Sequence, residues 1–249
     1  MAAVRRRPQR TPAPRPYRLA VAVLRPPLAW LTSQDWSGEE YLPPHGGFIV
    51  AVNHLSEIDP FTVAHFLVDH GCPPMFLAKS SLFDIPVLGR ALRPLGQVPV
   101  YRNSRRAGEA LAEAEEAVSS GKCVVIMPEG TLTREPSLWP MRGRTGVGRL
   151  ALATRAPVIP IGQWGPQRLL APYARRPTGL LSRPTMQIKA GPPVELSDLY
   201  GRAGERSAMA EASDRVMRAV VDEVAVLRGE TPPAQLYERP RGTGAGSGS

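Results

Sequence analysis

The chain has 249 residues, 43% hydrophobic and 21% charged, so it can bury a core as one domain and is neither a disordered nor a fibrous composition. Its net charge of +9 is unevenly placed: residues 1–25 hold seven arginines and no acidic residue, which leaves about +2 on the rest. Cys72 precedes Pro73-Pro74 and Cys123 lies in an apolar run, a pattern that excludes a disulfide scaffold, gives no metal-ligand spacing and makes a reducing, cytosolic setting the default.

Residues 1–16, with four prolines and five arginines, have nothing to bury and are expected to be a mobile basic arm. Residues 17–32 read as a membrane-interfacial helical element, in two short helices (17–24 and 28–32) broken at Pro26-Pro27. The apolar stretch falls short of the ~18 to 20 residues that a bilayer span needs. A basic arm before an apolar stretch suits an anionic membrane surface. A solvated tail and nucleic acid are the competing readings, and against nucleic acid stand the lack of aromatics among the charges and of any recognised binding signature.

From residue 33 to 228 strands and helices alternate. Apolar, β-branched runs predict strands at 48–52, 75–78, 98–101, 123–127, 158–161 and 186–190. Helical spacing of apolar residues predicts helices at 60–69, 105–119, 143–153 and 204–228. The alternation argues for an α/β domain with a mostly parallel sheet flanked by helices. In such sheets ligands collect at loops beyond the carboxyl ends of strands, and His54, Arg102 and Glu129 all follow predicted strands. Residues 229–249, ending in Gly-Thr-Gly-Ala-Gly-Ser-Gly-Ser, read as a flexible tail.

Asn53-His54-Leu55-Ser56-Glu57-Ile58-Asp59-Pro60 carries a histidine and a carboxylate five residues apart. On one helix that spacing holds two side chains roughly 140° apart, so they meet only across a turn. Asp59-Pro60 offers one, with Asp as N-cap and Pro in the first helical position. His54 and Asp59 are then a base and its orienting group, or a loop histidine and a simple cap. Pro128-Glu129-Gly130-Thr131-Leu132-Thr133-Arg134 brings a carboxylate out of a buried strand, followed by a glycine that lets backbone N–H groups face an anion. Arg102 ends its strand, and two readings stand for it: a bidentate phosphate ligand or an ordinary strand-end arginine. Arg142-Gly143-Arg144-Thr145-Gly146-Val147-Gly148 lacks the Gly-Lys-Ser/Thr ending of a P-loop, and Ser56 is in no Gly-x-Ser-x-Gly elbow.

Asn53-His54 through Asp59-Pro60, Gly96 to Arg102, Glu129-Gly130-Thr131 and Val158-Ile159-Pro160-Ile161 stand in the order and approximate spacing of the four blocks of the glycerolipid acyltransferases. The chain resembles that family, the 1-acylglycerol-3-phosphate acyltransferase group, over roughly residues 45–195, with local wording like an actinobacterial branch. The resemblance implies the α/β acyltransferase sandwich. It implies His54 as general base, Asp59 as its orienting carboxylate, and Arg102, Gly130 and Thr131 as the grip on the acceptor's phosphate, with Glu129 organising that pocket and Lys79 as a further phosphate-facing cation. In the third block Leu132-Thr133 stand before Arg134, where the family often reads Glu-Gly-Thr-Arg.

The chemistry fits those residues. An imidazole, with an ordinary pKa of about 6.5, suits deprotonation of an alcohol near neutral pH, and direct attack by that alcohol needs no protein nucleophile. The expected reaction moves a fatty acyl group from acyl-CoA or acyl carrier protein, as donor substrate and not as cofactor, to the free hydroxyl of lysophosphatidate. Glycerol 3-phosphate or another lysophospholipid as acceptor, and a non-catalytic lipid-binding protein on the same scaffold, are the alternatives. The implied setting is peripheral, at the cytoplasmic face of the plasma membrane, with an anionic membrane surface as partner and no nucleic acid or metal.

Overall fold

Residues 48–52 carry no polar side chain, and all five are buried. Their alternation divides the interior: Ile49 and Ala51 face one layer of helices, while Phe48, Val50 and Val52 face the other. In the computed structural model, which describes residues 14–101, 107–174, 176–177, 179–180 and 182–238, this run is the central strand of the molecule.

In chain order the elements are α1 (Arg15–Leu31), β1 (Ser33–Ser37), β2 (Phe48–Val52), α2 (Asp59–Asp69), β3 (Pro74–Lys79), α3 (Pro86–Leu92), β4 (Val98–Val100) and α4 (Ala107–Ser119). There follow β5 (Cys123–Ile126), α5 (Gly146–Thr154), β6 (Val158–Trp164), α6 (Pro166–Leu169), β7 (Thr185–Ala190) and α7 (Arg206–Arg228). The sheet runs β1-β7-β6-β2-β5-β3-β4, parallel throughout except where β6 meets β7. Val63, Phe66 and Leu67 of α2 cover one face. Alanines of α4 with Val147 and Leu150 of α5 and Val216 and Val220 of α7 cover the other. The mostly parallel sheet between helix layers is therefore as expected.

Three expectations need correction. Residues 17–32 do not form two helices: α1 is continuous through Pro26 and Pro27. The prolines remove the hydrogen bonds to the Ala22 and Val23 carbonyls, but both residues are exposed, so water can serve those groups. Residues 229–238 are not loose: the Arg142 N–H donates to the Tyr237 carbonyl at 3.0 Å, and Leu236 packs beside Trp139 and Val224. The rest of that expected tail, and most of the expected basic arm, lie outside the described residues. β6 runs past Ile161 to Trp164, beneath α7. Gly162 makes this close approach possible, because a Cβ there would stand 2.7 Å from the Glu223 carbonyl carbon.

α1 lies on the outside of the body. Its Tyr17 hydroxyl donates to the Pro74 carbonyl at 3.4 Å and Arg25 pairs with Asp69 at 3.1 Å. Leu19, Val23 and Trp30 are more than 60% exposed. Among the described residues no helix is long and apolar enough to cross a membrane.

Candidate active site

β2 ends at Val52, and after His54 the chain bends at Ser56 and turns through Glu57 and Ile58 into α2. The turn is closed by one carboxylate oxygen: Asp59 Oδ2 accepts the His54 Nδ1–H at 2.8 Å, the Leu55 N–H at 2.5 Å and the Ser56 N–H at 2.8 Å. The helical cap expected of Asp59 is not made. Asp59 is the first residue of α2, and its carboxylate reaches back to the loop before the helix instead of forward to the helix amides. Asp59 is fully buried, and burial pushes its carboxyl above the ordinary carboxylate range, while His54 and the two amides pull it back. Three N–H donors on one oxygen suit the ionised form. With Nδ1 donating to Asp59, His54 presents an unprotonated Nε2, and its side chain keeps 15% of its surface open to solvent.

Three further ties fix the backbone of His54. Asn53 and Gln163 clasp the ends of β2 and β6: Gln163 N–H donates to Asn53 Oδ1 at 2.9 Å, Gln163 Nε2 to the Asn53 carbonyl at 2.8 Å, and Asn53 Nδ2 to the Gln163 carbonyl at 3.1 Å. The Thr133 N–H donates to the His54 carbonyl at 2.8 Å. Glu129, three residues beyond the end of β5, accepts the His54 N–H at 3.0 Å on Oε1 and the Met141 N–H at 3.0 Å on Oε2. Glu129 is therefore spent on two amides and braces the histidine loop; neither oxygen is turned to a substrate.

Burial pushes the Glu129 carboxyl up to about 8, against the pull of the two amides. The unfolded chain releases this proton near 4.5, so its stabilising contribution is complete below about 4.5 and is lost as pH rises through about 8. The Tm of the protein is expected to fall between pH 5 and pH 9, and Glu129→Gln to flatten that slope. Glutamine can accept only one of the two amides, so the variant is also expected to lose about 1–3 kcal/mol at pH 5. Thermal unfolding followed by circular dichroism measures both, and a pH slope identical in the two proteins would count against this role.

The remaining expected residues divide. Lys79 is exposed at the end of β3, and continuing the register Phe76↔Val125 sets it beside the exit of β5, on the same edge as His54. Thr131 is half-buried next to this loop, with no hydrogen-bond partner among the described residues. Gly130 does not turn its amide to an anion as expected: its N–H donates to the Met127 carbonyl at 2.9 Å, in a turn with φ of +70°. Arg102 lies outside the described residues. Leu132 is buried, and Arg134 is held away on Tyr173, its Nε donating to the phenol oxygen at 3.4 Å.

Two residues were not legible as parts of the site. Gln163 lies beyond the apolar run that marks β6 in the sequence, and only its pairing with Asn53 reveals it. Arg144, in the glycine-rich segment that is no P-loop, has its guanidinium against Gly130: a Cβ on that glycine would stand 3.1 Å from Nε.

A buried aspartate fixing a histidine whose side chain stays partly open to solvent, at the carboxyl edge of a parallel sheet, is an arrangement able to take a proton from a hydroxyl. Comparison with known proteins gives the family. A family model described as Acyltransferase matches residues 34–164. A chloroplastic 1-acyl-sn-glycerol-3-phosphate acyltransferase of Brassica napus is 33% identical over 138 residues, 55% of this chain and 38% of that protein. A 1-acyl-sn-glycerol-3-phosphate acyltransferase of Borreliella burgdorferi is 31% identical over 126 residues, 50% of this chain and 48% of the other. The chain thus spans about half or less of the length of these relatives. The crystal structure of the 1-acyl-sn-glycerophosphate acyltransferase PlsC from Thermotoga maritima superposes with a TM-score of 0.61 at 26% identity, covering 83% of this chain and 77% of that one. The family match takes in most of β1, all of β2 to β6 and every residue whose contact fixes His54, so the chain belongs to the acyltransferase family.

Proposed function

We propose that the protein transfers a fatty acyl group from a thioester donor, acyl-CoA or acyl carrier protein, to the free hydroxyl of lysophosphatidate, giving phosphatidate. The observation that carries this reading is the His54 Nδ1 to Asp59 Oδ2 contact, with Nε2 left as the base. His54 Nε2 takes the proton of the acceptor hydroxyl as its oxygen attacks the thioester carbonyl, and Asp59 stabilises the imidazolium so formed. The tetrahedral intermediate collapses with loss of the thiolate, which takes the proton from His54. One ester bond forms, one thioester bond breaks and one thiol leaves. Relatives named for lysophosphatidate acylation support this acceptor, and Lys79 is the candidate to meet its phosphate together with Arg102 and Thr131. A panel of lysophosphatidate, glycerol 3-phosphate and a choline lysophospholipid, offered with each donor and read by lipid mass spectrometry, tests the reading. Lysophosphatidate is expected to give the highest kcat/KM, and preference for an acceptor without a phosphate monoester would overturn it.

The same reading sets the enzyme peripherally on the cytoplasmic face of a membrane, where its acceptor resides. At about 100° per residue, Leu19, Val23, Pro26 and Trp30 fall on one stripe of α1, and the three apolar side chains on it are exposed. Arg18 on the same helix and the arginines that precede it in the sequence suit anionic headgroups. Replacing Leu19 and Val23 together, as Leu19→Glu and Val23→Glu, is expected to weaken co-sedimentation with anionic vesicles at least tenfold without lowering Tm. Unchanged sedimentation would show that this stripe meets something else.

A further inference from the structure

Two arginines leave the loop before α5, and they end in opposite circumstances. Arg142 is neutralised on the outer side by Glu238 and by Asp214 at 3.4 Å. Arg144 is exposed, and among the described residues its guanidinium has no carboxylate or hydrogen-bond partner. Its main chain is nonetheless firmly placed. The Arg144 N–H donates to the Pro128 carbonyl at 2.9 Å, which ties the segment to the exit of β5. One residue earlier, a Cβ on Gly143 would come within 2.7 Å of Met217 and 3.2 Å of Pro128, so the backbone is pressed against α7 and the strand exit.

From that anchor the side chain crosses the bare α-carbon of Gly130, where Nε, Cδ and Cζ would lie 3.1, 3.3 and 3.7 Å from an added Cβ. Gly130 lies between the two residues that hold the histidine, directly after Glu129 on its N–H and three residues before Thr133 on its carbonyl. An unneutralised guanidinium is thus laid over the turn that braces the loop of the base. Arg134, earlier in the same connection, does not compete, because it lies over Tyr173 with its Cζ 5.9 Å from the ring centroid and Nε on the phenol oxygen.

We propose that Arg144 is a phosphate-binding residue of the acyl-transfer pocket, taking the phosphate monoester of the acceptor. A guanidinium offers two parallel N–H donors to phosphate oxygens, and a cation with no carboxylate partner has no internal bond to give up on binding. Gly130 is then the residue that lets the arginine reach the pocket. Any side chain there would meet Arg144 and would also have to adopt φ of +70°. The phosphates of a CoA donor are the other source of the same chemistry.

This assignment rests on the acyl-transfer reading, and the test separates the two. Arg144→Gln and Arg144→Lys are compared with the full-length protein in thiol release from a long-chain acyl-CoA, with lysophosphatidate and with a phosphate-free monoacylglycerol as acceptors. Arg144→Gln is expected to raise the KM for lysophosphatidate at least tenfold, with Arg144→Lys recovering part of the loss. The KM for acyl-CoA and turnover of monoacylglycerol are expected to stay within twofold, and Tm to be unchanged because the side chain makes no internal bond. A raised acyl-CoA KM with an unchanged acceptor KM would give the grip to the donor's phosphates and overturn the acceptor assignment. Both constants within twofold of wild type would overturn the proposal altogether. If the wild-type protein turns over neither acceptor, the acyl-transfer reading fails first. Calorimetric binding of short-chain lysophosphatidate to wild type and Arg144→Gln then decides the grip alone, and equal affinities would overturn it.

Discussion

His54→Ala is expected to lower lysophosphatidate-dependent thiol release by about 10²–10⁴-fold, the usual contribution of a positioned general base, or about 3–5 kcal/mol of barrier. The fall belongs in kcat. The bonds that place this residue are made by its backbone, from the N–H to Glu129 and from Thr133 to the carbonyl, and alanine keeps both. The fold and the affinity for lysophosphatidate are therefore expected to survive, which separates loss of the base from loss of the loop. A variant that binds lysophosphatidate and turns over within threefold of wild type would remove His54 from the chemistry.

Asp59→Asn is expected to cost about 10²-fold or more in kcat and to lower Tm. With its carbonyl at the position of Oδ2, asparagine can still accept from His54, Leu55 and Ser56, so the imidazole keeps its tautomer. What is lost is the negative charge that stabilises the imidazolium as the acceptor proton moves. The new amide group falls where Oδ1 is buried with no partner, and an unpaired buried N–H costs about 1–3 kcal/mol. In a domain of this size that lowers Tm by about 2–4 °C per kcal/mol. Steady-state kinetics with thermal unfolding on the same samples checks both effects. Full activity in Asp59→Asn would mean that the carboxylate is only a loop fastener.

The apolar strands could be read because their own composition decides them: 48–52 and 123–126 are buried on both faces, so no polar residue interrupts the run. β1 escaped for the opposite reason. Ser33–Ser37 is a polar edge strand held by its pairing with β7, a partner some 150 residues away. The double proline in α1 reads locally as a break, and only the exposure of the carbonyls it frees explains why the helix continues. Within the site, His54 and Asp59 could be paired from their spacing across a turn. The direction of Asp59's other two bonds, back into the loop, could not. Spacing also had no access to Glu129's two amide partners or to Arg144, because both depend on where the 139–146 segment returns to the end of β5. The glycine of the third block has a different physical role from the one its sequence suggests: it supplies a bare α-carbon to an arginine instead of an amide to an anion.

The most direct measurement of the central claim is product analysis of a single reaction of wild-type protein with a long-chain acyl donor and lysophosphatidate, counting thiol and lipid together. One phosphatidate is expected for each thiol released, with the new ester on the hydroxyl that was free in the acceptor. Saturable binding of lysophosphatidate with no phosphatidate formed from either acyl-CoA or acyl carrier protein would contradict the account and leave a lipid-binding protein on an acyltransferase scaffold.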